Sequence, residues 1–458
     1  MSTSNTASSA LGTYLSSAGG YFDAQLESRR DSCGTSVYAA IDLSEGTKVV
    51  CCPYSLAVTP DLARRCIPSA LLPSAPSAPS KRPARQPDHE LMALYLSLHA
   101  LPSAITMRVD GLDLRHHVYV EHLPSRDSMR TTLYFSAVER ELLRGSNLHG
   151  ATEEREAGWR QEWEEVASWM QDEAVRKALT FDLWLWACTI LSSRAFPSSL
   201  IDGNKENSTP VLFPGVDMLN HRPTARVTWS IDAGVASSAS SGSDGSLTIV
   251  LDEAVGAGEQ VFNTYGAKSN EELLLGYGFV LPSNPADFLA LKLSLPPSAP
   301  ARLVDLLSQL KLDQLRHHVP QSGEIPPELL AQMRLLVAQP DELDAVIERA
   351  SAVSLWQEAV GFVSWENELD VLDAIEGMLV SKLQALQQGA AADESDGVRP
   401  EVLEMVQIYR QGQTKILQAA ISWRETVFEQ TVDKAEEAGV SIGYDDDMDD
   451  IDEEDEEE

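Results

Sequence analysis

The sequence predicts an α+β protein, with a β-rich core interrupted by helices and a helical region behind it. Three patterns carry that prediction. Short runs rich in Val, Thr, Ile and Leu at 36–40, 48–52, 226–231, 246–251 and 260–264 read as strands. Between the second and third of these, from 88 to 196, apolar residues recur at helical spacing. After Pro282 the composition turns helical again and stays so to about 438. With 458 residues the chain is long enough for two or three domains and a sizeable core.

Charge and cysteine usage narrow the class. The net charge is −35, and residues 445–458 carry twelve acids and no base. Basic surface supplies most of the affinity for nucleic acid, so the balance argues against direct nucleic-acid binding. The tail reads as a disordered, solubilising extension, and its charge also suits basic partners such as ribosomal proteins or histones. No apolar run approaches the length that spans a bilayer, so no membrane association is expected. The opening MSTSNTASSALGTYL lacks the basic start and apolar centre of a secretory signal. The five cysteines, Cys33, Cys51, Cys52, Cys66 and Cys188, are odd in number and lack CxxC spacing. That argues against a disulfide framework or a metal site, and a reducing compartment, cytoplasm or nucleus, is expected.

In chain order, residues 1–19 are Ser/Ala-rich and predicted disordered, and a short helix is predicted over 21–29. Strands 36–40 and 48–52 are joined by a SEG turn. The Pro/Ser/Ala-rich stretch 71–87 reads as a flexible loop. Asp88 caps a helix, and further helices are predicted over 136–143 and 155–175. The segment 180–196 is apolar on nearly every face, which predicts a buried helix. Strands 226–231 and 246–251 are joined by a Gly/Ser/Ala-rich link, 233–245. A third strand, 260–264, follows a GAGE turn and delivers Tyr265 to a loop. A helix then starts near Ser269, with Glu272 three residues on for a capping box, and ends at Gly276 or Gly278, around Tyr277. Beyond it, 325–339 and 402–434 read as amphipathic helices, with a loop at 389–397 between them.

The stretch 214–279 holds the chemistry. It opens with PGVDMLNH, residues 214–221, and closes with GEQVFNTYGAKSNEELLLGYGFV, residues 258–280. The polar set Asp217, Asn220, His221, Tyr265, Asn270 and Tyr277 is not needed to build a strand-rich core. Taken singly, each has a structural use: a buried Asn satisfies backbone, a buried His or Tyr finds one partner, and Asn270 can stabilise a turn. As an ordered set, NH followed by YG…SN…YGF resembles the SET-domain protein methyltransferases. Within them it is similar to the branch typified by RuBisCO large-subunit lysine methyltransferase and the fungal ribosomal-protein lysine methyltransferases. The turn CGTS, residues 33–36, and the motif SRAF, residues 193–196, extend the resemblance.

The resemblance implies a β-rich SET core over 20–282, a helical insert near 88–205, and a helical substrate-binding domain over 286–440, with an acidic tail from 441. It implies that the NH and YG segments meet by one threading under the other. It implies S-adenosyl-L-methionine as cofactor, held by Cys33, Gly34, Thr35, Arg194, Asn220 and His221. Tyr265 and Tyr277 are the implied catalytic residues, and Asp217, Tyr265, Tyr277 and Phe279 the substrate-binding ones. Ser36 stands where the family usually has a second Gly, and Ser198 where many members have a second Arg. The implied partner is a protein presenting a lysine, with basic ribosomal proteins as candidates, and the chain is expected to be a monomer. Two other readings stay open at this point: methylation of histidine, as a related branch performs, and a catalytically silent protein-binding module. The intact YGF tyrosine, Tyr277, favours lysine over histidine.

Overall fold

The computed structural model describes residues 6–31, 34–73, 87–233, 245–353, 355–389 and 397–440. Cys33, the acidic tail and most of the loops predicted at 71–87, 233–245 and 389–397 lie outside the described residues. The chain divides into two compact units. The first comprises 1–141, 148–286 and 395–405; the second comprises 142–147, 287–394 and 406–458.

The first unit carries the strands of the candidate site. Tyr21–Phe22, Lys48–Pro53, Ser246–Leu251 and Val227–Asp232 form one antiparallel sheet in that order. Alternation puts Leu247, Ile249 and Leu251 on the covered face, where they join Val37, Ala39, Val50, Phe213 and Leu219 in one apolar cluster. Phe213 and Leu219 are both fully buried and bracket the segment from Pro214 to Met218. The core thus fixes that motif at both ends. A separate antiparallel pair joins Leu26–Asp31 to Gly34–Ala39.

Three local expectations are corrected here. Residues 6–16 are helical, where disorder is predicted through 19. The Ser/Ala composition hides an i, i+4 pair, Leu11 and Leu15, which are 1% and 0% exposed and pack into the sheet's core. Where a helix is predicted over 21–29, the chain forms two strands, Tyr21–Phe22 and Leu26–Asp31. Leu26 and Ser28 are buried in alternation, and hairpin pairing with Gly34–Ala39 outweighs local helix propensity. The third strand is also shorter than predicted, spanning only Phe262–Asn263.

The helical stretch of this unit has its own core. Pro87–His99 packs on Phe181–Arg194, whose residues from Leu183 to Leu191 are all buried. The helix predicted at 155–175 is two helices, Asn147–Trp169 and Glu173–Ala178. Asp172 starts the second by accepting from the backbone N–H of Ala174 and Val175, which ends the continuity.

The second unit is predominantly helical, as the composition predicts. Its longest helix, Pro400–Glu437, belongs to it from 406 onward. Amid the helices lies one antiparallel pair, Phe288–Lys292 with Arg316–Pro320, that the sequence does not announce. Among the described residues no helix is long and apolar enough to cross a membrane.

The N-terminal helix supplies a direct check. Leu15→Ala should destabilise the first unit by about 2–5 kcal/mol, the cost of emptying a fully buried leucine site. A denaturant midpoint equal to that of the unsubstituted protein would mean that residues 6–16 are not part of the fold.

Candidate active site

The site begins with a two-residue parallel pairing. Asn220–His221 lies beside Phe262–Asn263, with Phe262 opposite Asn220 and Asn263 opposite His221. Two further bonds tie the same segments. The Tyr265 backbone N–H donates to His221 Nδ1 at 3.0 Å, and the Tyr265 hydroxyl donates to the Leu219 carbonyl at 2.9 Å. Because Nδ1 accepts, the imidazole is neutral at that nitrogen, and burial holds the His221 pKa below its usual value.

An aromatic stack grows from this pairing. The His221 and Tyr265 rings stack with centroids 5.0 Å apart, and Tyr265 stacks on Tyr277 at 5.2 Å. Phe279 closes the group edge-on to Tyr277 at 6.3 Å. Burial raises the pKa of both phenols further above neutral. The group therefore offers oriented hydroxyls and apolar walls, and no strong base.

Tyr277 and Phe279 are held by the short helix Asn270–Gly276. Ser269 and Glu272 form the predicted capping box at its start. Asn270 accepts from the Leu281 N–H at 2.9 Å and donates to the Leu281 carbonyl at 3.0 Å, which pins the loop after the helix. Between the two aromatics, Gly278 has φ +82°. A Cβ there would meet the Arg130 carbonyl carbon at 2.8 Å, so only glycine fits.

A buried polar trio sits behind Leu219. Arg194 donates to the Asp217 carbonyl at 2.8 Å and to its carboxylate at 3.2 Å. The Tyr119 hydroxyl donates to the same carboxylate oxygen at 2.9 Å. The Asp217 side chain is 1% exposed and that of Arg194 is 23% exposed, so the ion pair is buried and the arginine retains a part-exposed side chain. Burial pushes the Asp217 carboxyl above its usual range, and Arg194 and Tyr119 work against that shift. Burial opposes the Arg194 charge, but Asp217 outweighs it and keeps the guanidinium protonated.

The predicted residues are thus largely brought together. His221, Tyr265, Tyr277 and Phe279 form one stack, Asp217 and Arg194 one ion pair, and Asn220 borders both segments of the parallel pairing. Gly34 lies on its strand with φ +104° and open space where a Cβ would project, and Thr35 follows it exposed. Tyr119 is missing from the sequence-level set. It comes from the short helix His117–Val120, far from any motif, and no periodicity marks it. Trp229 and Asn263 are likewise unmarked, yet Trp229 Nε1 donates to Asn263 Oδ1 at 2.8 Å and braces the paired strand.

The comparisons with known proteins agree with this geometry. Residues 302–417 match the family model for the Rubisco LSMT substrate-binding domain. The chain is 29% identical over 422 residues to ribosomal lysine N-methyltransferase set10 of Schizosaccharomyces pombe, covering 89% of this chain and 70% of that protein. Along most of its length it resembles the SET-domain protein-lysine methyltransferases, in the branch of the RuBisCO large-subunit enzyme and the fungal ribosomal-protein enzymes. Ribosomal lysine N-methyltransferase 1 of Saccharomyces cerevisiae is 26% identical, covering 66% of this chain and 58% of that protein. The fold also matches a crystal structure of the SET domain of LSMT bound to lysine and AdoHcy, with TM-score 0.73 and 21% identity. That match covers 95% of this chain and 96% of the other.

S-adenosyl-L-methionine, the family's cofactor, suits the groups present. An amino-acid moiety needs donors for its carboxylate and an acceptor for its ammonium. The part-exposed Arg194 side chain, the backbone groups of the part-buried Gly34 and the exposed Thr35, and the part-buried Asn220 carboxamide include both kinds.

The trio makes a second check possible. Tyr119→Phe leaves a buried carboxylate one donor short and should cost about 1–3 kcal/mol of stability. Tyr14→Phe is the control, because its buried hydroxyl has no hydrogen-bond partner among the described residues. Equal denaturant midpoints for the two variants would remove the Tyr119–Asp217 bond from the account.

Proposed function

We propose that this site methylates the ε-amine of a lysine in a protein substrate, with Tyr265 and Tyr277 aligning the amine. The observation that supports this most is the stack of His221, Tyr265 and Tyr277, which sets two phenol rings side by side. When bound, S-adenosyl-L-methionine supplies a methyl group on a sulfonium, activated for in-line displacement by an amine. The protein's own contribution is alignment, exclusion of water and a neutral nucleophile. A free lysine has a pKa of about 10.4, and an apolar channel lowers it. The walls formed by Tyr265, Tyr277 and Phe279 do this without a general base. The Tyr265 hydroxyl is committed to Leu219, so its oxygen is left as a fixed acceptor. Tyr277 is the more adaptable partner for the amine.

Arg194, Asn220 and His221, with the backbone of Cys33, Gly34 and Thr35, hold the cofactor. Asp217, whose carboxylate is taken by Arg194 and Tyr119, acts indirectly by holding Arg194 in place. Residues 286–440 bind the protein substrate, a reading supported by the family model over 302–417. A net charge of −35 suits a basic substrate such as a ribosomal protein, met by a monomer in the cytoplasm or nucleus without nucleic-acid contact. Histidine methylation is the weaker reading, because Tyr277 of the YGF motif is intact.

Tyr277→Phe tests the assignment. It keeps the ring and its stack and deletes only the hydroxyl. Turnover and kcat/KM should fall together, on the order of 10²-fold, or the number of methyls added should change, at unaltered melting temperature and cofactor affinity. A stable variant with full turnover and the same products would take Tyr277 out of the mechanism.

A further inference from the structure

We infer that Ser36 is a positioning residue for the cofactor: its hydroxyl fixes the Asn220 carboxamide. The inference rests on the reading of Asn220 as a cofactor ligand. Ser36 is fully buried on the strand Gly34–Ala39. Its Oγ accepts from Asn220 Nδ2 at 2.8 Å, across 184 positions of sequence. The neighbouring backbone makes this a rigid anchor. The Val261 N–H donates to the Val37 carbonyl at 2.8 Å, and Val261 precedes Phe262, which lies opposite Asn220. Three segments therefore converge on one side chain: the Gly34 strand, the Asn220–His221 strand and the Phe262–Asn263 strand.

A carboxamide on a short stem turns easily about its last torsion, which has two broad, near-equivalent wells. Asparagine offers two donors and an acceptor, and a flip exchanges them. A serine hydroxyl can pair with either end of the amide; here Ser36 takes Nδ2, which holds the carboxamide and leaves Oδ1 as the end turned away from Ser36. A fixed carbonyl oxygen suits an ammonium donor such as the amino group of the cofactor. At this position a glycine, the residue usual in the family, has no side chain to do this. The serine is thus a feature of this chain that sets ligand affinity through Asn220, with no contact of its own required.

A double-mutant cycle on the full chain tests this. S-adenosyl-L-methionine affinity is measured for the unsubstituted protein, Ser36→Ala, Asn220→Ala and the double variant. The readout is the ligand-induced shift in melting temperature over a concentration series, which reaches weak binding. Ser36→Ala should weaken affinity on the order of tenfold, the scale of one lost hydrogen bond, read as a smaller ligand-induced shift from the variant's own ligand-free melting temperature. In the Asn220→Ala background the same change should have no further effect, because the group it orients is gone. Equal losses in both backgrounds would show that Ser36 acts independently of Asn220 and would overturn the inference. Unchanged affinity in Ser36→Ala, with a loss in Asn220→Ala, would also overturn it while leaving the cofactor role of Asn220 standing. An unsubstituted protein that does not bind, or an Asn220→Ala variant that binds normally, would instead overturn the reading of Asn220 and this inference with it.

Discussion

The candidate site depends on the parallel pairing of Asn220–His221 with Phe262–Asn263. Four residues carry it, yet it fixes much around them. It brings Tyr265 within reach of His221 Nδ1 and of the Leu219 carbonyl. It sets the base of the aromatic stack that continues to Tyr277 and Phe279. It also stands Asn220 against the Gly34 strand, through Ser36. So short a ladder is weak by itself. Its register is held by the apolar residues next to it, with Leu219 on one side and Val261 on the other both fully buried.

Around this pairing, polar groups are buried in linked sets. A buried polar group without a partner is costly, and in these sets one acceptor oxygen serves two donors. Asn263 Oδ1 takes both Trp229 Nε1 and the Thr264 N–H, and the Asp217 carboxylate takes both Arg194 and Tyr119. Removing one member of such a set leaves the others short of a bond, which ties the site's geometry to the stability of the unit. The glycine between Tyr277 and Phe279 shows the same economy in the backbone. It lets the chain pass against Arg130 and Thr131 with no Cβ in the way, so two aromatics two residues apart join one stack.

Much of this was legible in the sequence, for definite reasons. The strands around 48–52 and 246–251 and the buried helix at 180–196 are dense apolar runs, and tertiary packing agrees with their local propensity. Ser269 and Glu272 carry a capping signal within four residues. What failed was decided by pairing and packing partners, against the local signal. The helix at 6–16 is recruited by the sheet core through Leu11 and Leu15, a signal too sparse to read against a Ser/Ala background. The strand at Leu26–Asp31 is imposed by its hairpin partner. Tyr119 and Ser36 act through single hydroxyls that cross 98 and 184 positions to Asp217 and Asn220. No periodicity records such a bond. The ordered set NH…YG…YGF marked the site, and the residues that position it were invisible until the chain was folded.

The central claim is that a channel built on this pairing presents a lysine amine for methylation. It is tested most directly by incubating the full chain with methyl-labelled S-adenosyl-L-methionine and a cell extract, then locating the label by tandem mass spectrometry. The account predicts label on the ε-nitrogen of a lysine in a discrete protein. Label on a histidine ring, or none above a heat-inactivated control, would contradict it.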